Sequence, residues 1–188
     1  MNSLVEIAEN LKREKKVAVI CHVRPDGDAL GSAVGLTLAL KSLDIEVKTF
    51  CDDVIPKKFE FLDAQSFFSR EINEDFSALV AVDCADSLRV GEKISLIFSK
   101  HKNTYNIDHH ISNDRFAKYN YVYDNSSNSE NIYELIKVLG VKITPQIANY
   151  LFMGVMTDTG NFRHKNVTPH TFLTGASLVE SKADANTI

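Results

Sequence analysis

Six candidate metal ligands lie in four short segments that are far apart along the chain. The segments are HVRPDGD at residues 22–28, VAVDCAD at residues 80–86, NIDHH at residues 106–110 and TDTGN at residues 157–161. Groups so distant in sequence can meet only if the fold gathers them. A parallel α/β sheet does so, because the carboxyl ends of its strands all open on one edge. The spacing therefore predicts an α/β fold with a functional site at that edge.

The six side chains offer only carboxylate oxygens and imidazole nitrogens. They are His22, Asp26, Asp28, Asp83, His109 and Asp158. Carboxylates that are crowded together repel one another unless a cation lies between them. A mixture of oxygen and nitrogen donors without cysteine suits Mn²⁺, or failing that Fe, Co or Zn. The pattern indicates a metal-dependent hydrolase.

Three of the segments also have an ordinary structural interpretation. HVRPDGD could be a plain strand–turn–helix connection in which the Asp residues form the turn and cap the helix. Gly27 and Gly31 would let the backbone turn tightly there. Asp83 could cap a turn between a strand and a helix, and Asp158 could end a helix. For each of these segments taken alone, the ordinary interpretation stays open.

The NIDHH segment is harder to explain as a plain turn. Successive residues at a strand end point in different directions, so one histidine can face a metal and the other a substrate. Asp108 can orient an imidazole by accepting a hydrogen bond from it. Adjacent histidines on a surface loop are the alternative, which the preceding apolar strand disfavours. Four other polar residues are expected to serve as a cap or to lie in solvent: Asp86, His101, His164 and His170.

Composition restricts the class of protein. A chain of 188 residues with 44% apolar and 24% charged residues is typical of one soluble globular domain. A net charge of −4 gives no broad basic field, so a duplex nucleic-acid partner is not expected, whereas a short anionic substrate is compatible. The absence of a long apolar segment argues against a membrane role. Three cysteines without a CxxC pair or a signal peptide indicate the cytoplasm, and Cys21 and Cys84 are expected in the core.

The hydrophobic pattern predicts a three-layer α/β/α domain with a mainly parallel sheet of about five strands. The predicted strands cover residues 17–21, 45–50, 78–82 and 104–107, with an edge strand at 119–123. The predicted helices cover residues 4–11, 29–42, 94–98, 129–139, 145–156 and 169–179, and a short helix and connection fill 56–68.

The four segments together resemble the motifs of the DHH phosphoesterase family, in order and at appropriate spacing. The matching stretches are HVRPDGDALGS, VAVDCAD, NIDHHISNDRF and TDTGNFRHKNVTPHT, and the similarity extends over nearly the whole chain. Within the family, the chain most resembles the bacterial oligoribonuclease and pAp-phosphatase branch. The resemblance implies hydrolysis of short oligoribonucleotides or dinucleotides, and of the 3′-phosphate of pAp, by a metal-bound hydroxide.

The resemblance also implies two Mn²⁺ ions, with Mg²⁺, Co²⁺ or other divalent ions as alternatives. One ion would be held by His22, Asp26 and Asp83. The other would be held by Asp28, Asp83, His109 and Asp158, so that Asp83 bridges the two ions.

Further roles follow from the same resemblance. His110 would contact the scissile phosphate, and Asp108 would support the histidines. Arg24 and Arg115 are candidates for phosphate contact, with surface salt bridges as the alternative for both. The catalytic residues would then be Asp83, Asp108 and His110.

The chain departs from the family pattern in two respects. The loop at residues 125–130 reads NSSNSE where relatives usually read close to ASSTSE or ASSTAE, so the contacts of that loop are not carried over. Family members usually continue into a smaller domain with a glycine-rich motif. We expect residues 1–188 to be the catalytic domain alone, and homodimerisation stays open. The alternative functions are a pyrophosphatase or exopolyphosphatase, and a nucleotide-binding module with little turnover.

Overall fold

Six strands form one sheet in a computed structural model, which describes residues 2–188. The strands are β1 (Lys16–Ile20), β2 (Glu46–Phe50), β3 (Phe68–Ser69), β4 (Ala78–Val82), β5 (Thr104–Asp108) and β6 (Tyr119–Val122). Their order is β3-β2-β1-β4-β5-β6, and every neighbouring pair is parallel. All strands therefore end at the same edge, as the sequence pattern predicted.

Six α-helices accompany the sheet in the described residues. They are α1 (Leu4–Leu11), α2 (Gly27–Lys41), α3 (Glu92–Phe98), α4 (Asn128–Leu139), α5 (Pro145–Asp158) and α6 (Pro169–Glu180). Local sequence explains their ends: Ser127 and Glu130 form a capping box before α4, and Gly140 ends that helix with φ 74°. None of the helices in residues 2–188 has the length and apolar character that a membrane crossing requires.

The strands bury both of their faces, which produces two cores. Val17 and Val19 of β1 point into the core shared with α1, α2, α4, α5 and α6. Ala18 and Ile20 point into the smaller core beneath α3. Burial of both faces explains why β4 is apolar at every position and β1 from Val17 onward, and it confirms the three-layer α/β/α prediction. Cys21 and Cys84 are free and fully buried, as predicted.

The segment at residues 56–68 differs from the sequence prediction. It contains two 3₁₀ helices, Lys57–Leu62 and Ala64–Phe67, separated by Asp63 at φ 53°. It then runs into β3, a sixth strand where about five were predicted. Only Phe68 and Ser69 pair with β2, and two residues are too short to show the alternation that identifies a strand.

The α2 and α5 helices pack closely because glycines of α2 face α5. A Cβ atom on Gly31 would lie 2.3 Å from the Tyr150 carbonyl oxygen, and one on Gly35 would lie 2.7 Å from Leu151 Cδ2. Gly27 begins α2 directly after the N-cap Asp26 instead of lying in a turn, and Gly31 lies inside the helix, within the predicted range 29–42. The turn after β1 instead places Arg24 at φ 53°.

Gly31→Ala should destabilise the fold by about 1–3 kcal/mol, because the new methyl group meets α5 backbone that cannot move aside cheaply. Gly35→Ala is the matched control one helical turn later. Its methyl group meets the end of a leucine side chain, and the gain in helix propensity of about 1 kcal/mol offsets the contact. Urea denaturation of the wild type and both variants measures the change in the free energy of unfolding. If both variants lost the same free energy of unfolding, the close approach of the α5 backbone to Gly31 would not be the cause of the loss.

Candidate metal centre

Asp83 lies at the centre of the carboxyl edge of the sheet. It follows β4 directly with φ 57°, and it is only 2% exposed. Its Oδ2 lies 3.5 Å from His22 Nε2, and its Oδ1 lies 3.4 Å from His109 Nε2. The buried Oδ1 atom has no hydrogen-bond donor among residues 2–188. A buried carboxylate oxygen that lacks a donor is costly, so this position favours a cation.

His22, Asp26 and Asp83 form one cluster beside β1. The His22 Nδ1–H group donates to the Val23 carbonyl oxygen at 2.8 Å, which leaves Nε2 facing the carboxylates. Asp26 Oδ2 lies 3.8 Å from His22 Nε2. The other Asp26 oxygen caps α2 by accepting from the backbone N–H groups of Asp28 and Ala29, both at 3.0 Å. The cap interpretation is therefore confirmed for Asp26, and its other oxygen faces His22, as a ligand position requires.

Asp28, His109 and Asp158 form a second cluster on the other side of Asp83. His109 Nε2 lies 3.9 Å from Asp28 Oδ2 and 3.4 Å from Asp158 Oδ2. The His109 Nδ1–H group donates to the Asn125 carbonyl oxygen at 3.1 Å, so Nε2 again faces the carboxylates. Asp158 is the last residue of α5, where Gly160 at φ 53° allows the chain to turn.

The N-terminus of α4 holds the fully buried Asp28 carboxylate. Asp28 Oδ2 accepts from the Asn128 backbone N–H at 2.5 Å, and Oδ1 accepts from the Ser129 N–H at 2.8 Å. Free N–H groups and the positive end of the helix dipole favour an anion at this position. A Cβ atom on Gly154 would lie 2.7 Å from Asp28 Oδ1, so the glycine leaves room for the carboxylate. The loop that departs from the family pattern thus supports this cluster through its backbone.

Asp108 orients His110. Asp108 Oδ1 accepts from His110 Nδ1 at 2.8 Å, and Oδ2 accepts from Asn113 Nδ2 at 2.6 Å. Asp108 is fully buried, whereas His110 is half-exposed. His110 therefore faces the open edge with its Nδ1 occupied, and its Nε2 is the nitrogen left for a further partner.

The pKa values reflect the crowding of charges. Burial and the nearby Asp83 charge raise the pKa of Asp158 to about 7. Burial lowers the pKa of His109, but the Asp83 and Asp28 carboxylates outweigh it and raise the pKa to about 10. Burial would raise the pKa of Asp83, yet the two flanking imidazoles lower it. The carboxylates thus depend on positive charge supplied by their neighbours.

The residues present fit a centre that binds divalent cations. Three sets of side chains in residues 2–188 bring their donor atoms within 4.8 Å of one another. Two of the sets are the clusters described above, and the third joins Asp83, His109 and His110. In the third set, the His110 nitrogen near Asp83 is Nδ1, which lies 3.8 Å from Asp83 Oδ1 and already donates to Asp108. His110 therefore fits the position of a hydrogen-bond donor better than that of a ligand.

Comparison with known proteins agrees with this geometry. Residues 16–155 match the family model described as the DHH family, N-terminal domain. The chain belongs to the DHH family. The bifunctional oligoribonuclease and PAP phosphatase NrnA of Thermus thermophilus is 36% identical over 178 residues, which cover 92% of this chain and 52% of that relative. The chain spans about half the length of the curated relatives it matches.

Solved structures share the DHH fold. An exopolyphosphatase-related protein from Bacteroides fragilis matches with a TM-score of 0.90 at 23% identity, over 97% of this chain and 58% of that one. The exonuclease RecJ bound to manganese matches with a TM-score of 0.58 at 14% identity, over 96% of this chain and 47% of that one.

Other predicted residues of the DHH chain lie outside the two clusters. Arg24 and Arg115 are exposed, and neither guanidinium forms an ion pair within residues 2–188. Asp86 caps a turn, as expected, by accepting from the Leu88 and Arg89 N–H groups. His101 differs from its predicted solvated position. It is half-buried, and both ring nitrogens lie near backbone carbonyl oxygens.

Buried asparagines around the DHH motif were missed at the sequence level. Asn113 Nδ2 also lies 2.8 Å from Asn106 Oδ1 and 2.9 Å from the Cys84 carbonyl oxygen. Asn131 Nδ2 donates to the carbonyl oxygens of Asp108 and Tyr123, both at 3.0 Å. An asparagine in a sequence does not by itself predict whether its side chain is buried. The capping box of α4 was visible as S-x-x-E, and it would have placed Asn131 on the first turns of that helix.

Asn113→Ala should lower the free energy of unfolding by about 1.5–3 kcal/mol, because it removes a buried donor from the charged Asp108 carboxylate. Asn103→Ala is the control, since Asn103 Nδ2 makes longer contacts of 3.3 and 3.4 Å at a half-buried position. We expect it to cost less than about 1 kcal/mol. Urea denaturation measures both. A loss at Asn103 as large as that at Asn113 would contradict a special role for the bond to Asp108.

Proposed function

We propose that this chain is a metal-dependent phosphoesterase that hydrolyses short oligoribonucleotides or dinucleotides and removes the 3′-phosphate of pAp. The observation that carries the proposal is the position of Asp83, whose two oxygens face two histidines from two separate ligand clusters. The substrate class is supported by the 36% identity to a bifunctional oligoribonuclease and PAP phosphatase. The chain covers only part of that relative, so its activity and substrates are proposals for this protein.

The proposed centre binds two Mn²⁺ ions. His22, Asp26 and Asp83 would hold one ion. Asp28, Asp83, His109 and Asp158 would hold the other. When bound, such ions lower the pKa of water from 15.7 to about 7 and neutralise charge that develops on the phosphate. Oxygen and nitrogen donors without sulfur suit Mn²⁺, and they also accept Mg²⁺ or Co²⁺.

His110 would act on the phosphate as a hydrogen-bond donor. Its bond to Asp108 raises the pKa of the imidazole, which favours the form that carries a proton on both ring nitrogens. A cationic N–H group at the open edge can donate to a phosphate oxygen and stabilise the charge that builds up there. Asp108 acts through His110 and fixes the direction of its ring.

Arg24 and Arg115 would contact other oxygens of the substrate. Each follows a cluster residue in a loop at the carboxyl edge, and each has positive φ, at 53° and 54°. Because neither forms an ion pair within the described chain, both guanidinium groups remain available for a phosphate.

The rival hydrolase activity is that of a pyrophosphatase or exopolyphosphatase. Fold likeness does not separate the two, because an exopolyphosphatase-related protein shares the fold with a TM-score of 0.90. Sequence identity is higher to the oligoribonuclease, at 36% against 23%. We therefore favour a nucleotide substrate over an inorganic one.

Asp83→Ala should remove both bound ions or leave one weakly held, because Asp83 contributes to both clusters. Asp86→Ala is the matched control, since Asp86 lies three residues away and only caps a turn. Elemental analysis after dialysis against Mn²⁺-free buffer measures the number of Mn²⁺ ions bound per chain in the wild type and both variants. Circular dichroism checks that the variants fold. Two tightly held ions in Asp83→Ala would exclude the bridging role.

The wild-type chain should hydrolyse pAp and dinucleotides in Mn²⁺ faster than it hydrolyses pyrophosphate. His110→Ala should reduce kcat by roughly 10²–10³ on the same substrates while it keeps its metal, as expected for loss of one donor to the developing charge. Release of nucleotide and phosphate is followed by chromatography. Faster cleavage of pyrophosphate would favour the rival hydrolase. Metal and pAp binding without turnover would favour a binding module.

A further inference from the structure

A second concave site lies next to the metal centre, on the α4 side of the edge strand β6. It has a volume of about 530 Å³. Residues from β6, the loop that follows it, and three helices line it. They include Leu4, Tyr121, Tyr123, Asp124, Glu134 and His170. None of these residues belongs to the two ligand clusters, and the proposed chemistry does not use them.

Backbone hydrogen bonds connect this pocket directly to the DHH motif. The Tyr123 N–H donates to the Asp108 carbonyl oxygen at 3.0 Å. Asn125, which also lines the pocket, accepts from His109 Nδ1 at 3.1 Å through its carbonyl oxygen. The Asn131 side chain connects the pocket to the DHH motif, because its Nδ2 group donates to the carbonyl oxygens of both Tyr123 and Asp108. Residues that line the pocket are therefore hydrogen-bonded to Asp108 and His109 of the DHH motif.

The pocket offers an aromatic surface. The rings of Tyr121 and Tyr123 are nearly parallel, with an interplanar angle of 12° and centroids 6.3 Å apart. Tyr123 is 54% exposed, whereas Tyr121 is half-buried against the core. A flat ring that is fixed at its backbone and open to solvent is a good surface for stacking a nucleobase, since every base has a π-face.

The charges of the pocket favour a base over a phosphate. Asp124 contributes a carboxylate, and Glu134 contributes a second one, which also accepts from Lys137 Nζ at 3.0 and 3.1 Å. The pocket lining itself contains no Lys or Arg. Carboxylates repel phosphate groups, but they accept hydrogen bonds from the exocyclic amino groups of adenine, guanine or cytosine. His170 Nε2 lies 3.9 Å from Glu134 Oε1 and adds a further polar group. The metal centre and the pocket thus suit the two chemically different ends of one nucleotide.

We propose that this pocket binds the nucleobase of the nucleotide whose phosphate is hydrolysed at the metal centre, with Tyr123 as the stacking surface. This proposal rests on the proposed function for its biological meaning. The binding of a base can nevertheless be measured without turnover, because it uses residues outside both ligand clusters.

The test uses adenosine, which carries a base but no phosphate, and ribose, which carries neither. Adenosine should shift the NMR signals of Tyr123 and Asn125 in the 188-residue chain, and ribose should not. Tyr123→Ala should abolish the shifts, whereas Tyr123→Phe, which keeps the ring, should retain them. Phe61→Ala removes another exposed ring, outside the pocket, and should bind adenosine as the wild type does.

With a dinucleotide substrate, Tyr123→Ala should raise KM roughly 10- to 100-fold, the size expected for loss of one base–aromatic stack. Tyr123→Phe should restore the wild-type KM. Adenosine binding that requires Tyr123 in a chain without phosphoesterase activity would support the pocket and reject the proposed function.

Two results would contradict the proposal that this pocket binds a nucleobase. One is dinucleotide hydrolysis with the same KM in wild type and Tyr123→Ala, together with no adenosine shifts at Tyr123. The other is a change of oligomeric state in Tyr123→Ala, measured by analytical ultracentrifugation, without any effect on adenosine binding. That second result would identify this face as a protein interface.

Discussion

The structure depends on a concentration of negative charge around Asp83 that is buried rather than exposed to water. Asp28 and Asp83 are almost fully buried, and burial together with the nearby Asp83 charge raises the pKa of Asp158. Without cations, two imidazoles compensate this charge only in part, since one oxygen of Asp83 has no donor within the described chain. Such an arrangement is unfavourable for folding alone, so its persistence is best explained by ion binding.

The rest of the fold supplies what this charge cluster needs. The α4 N-terminus contributes two N–H groups to Asp28, and it reaches that position because α2, α4 and α5 pack tightly together. Gly31 and Gly154 allow that packing, since a side chain at either position would meet α5 backbone or the Ser129 hydroxyl. Glycines of the helix interface and ligands of the metal centre therefore form one structural unit. A change in helix packing would move a ligand.

The convergence of the six candidate ligands could be predicted from the sequence because most of them follow an apolar run. Asp83 directly follows β4 and His109 directly follows β5, and parallel strands end at one edge. Three features could not be predicted in the same way. β3 is too short to show a periodic pattern, glycines inside a helix look the same whether they turn or pack, and Asn113 becomes buried only through contacts distant in sequence.

Two kinds of site at one edge suggest how a small domain could select its substrate. The proposed metal clusters would recognise charge and geometry that all phosphoryl groups share, so by themselves they would not separate nucleotides from pyrophosphate. The pocket at Tyr123 has aromatic and carboxylate groups that an inorganic phosphate does not satisfy. Because Asn125 and Asn131 connect the pocket to the DHH motif, a base stacked on Tyr123 would also restrict where its phosphate lies. Positioning of that kind contributes to rate as well as to selectivity.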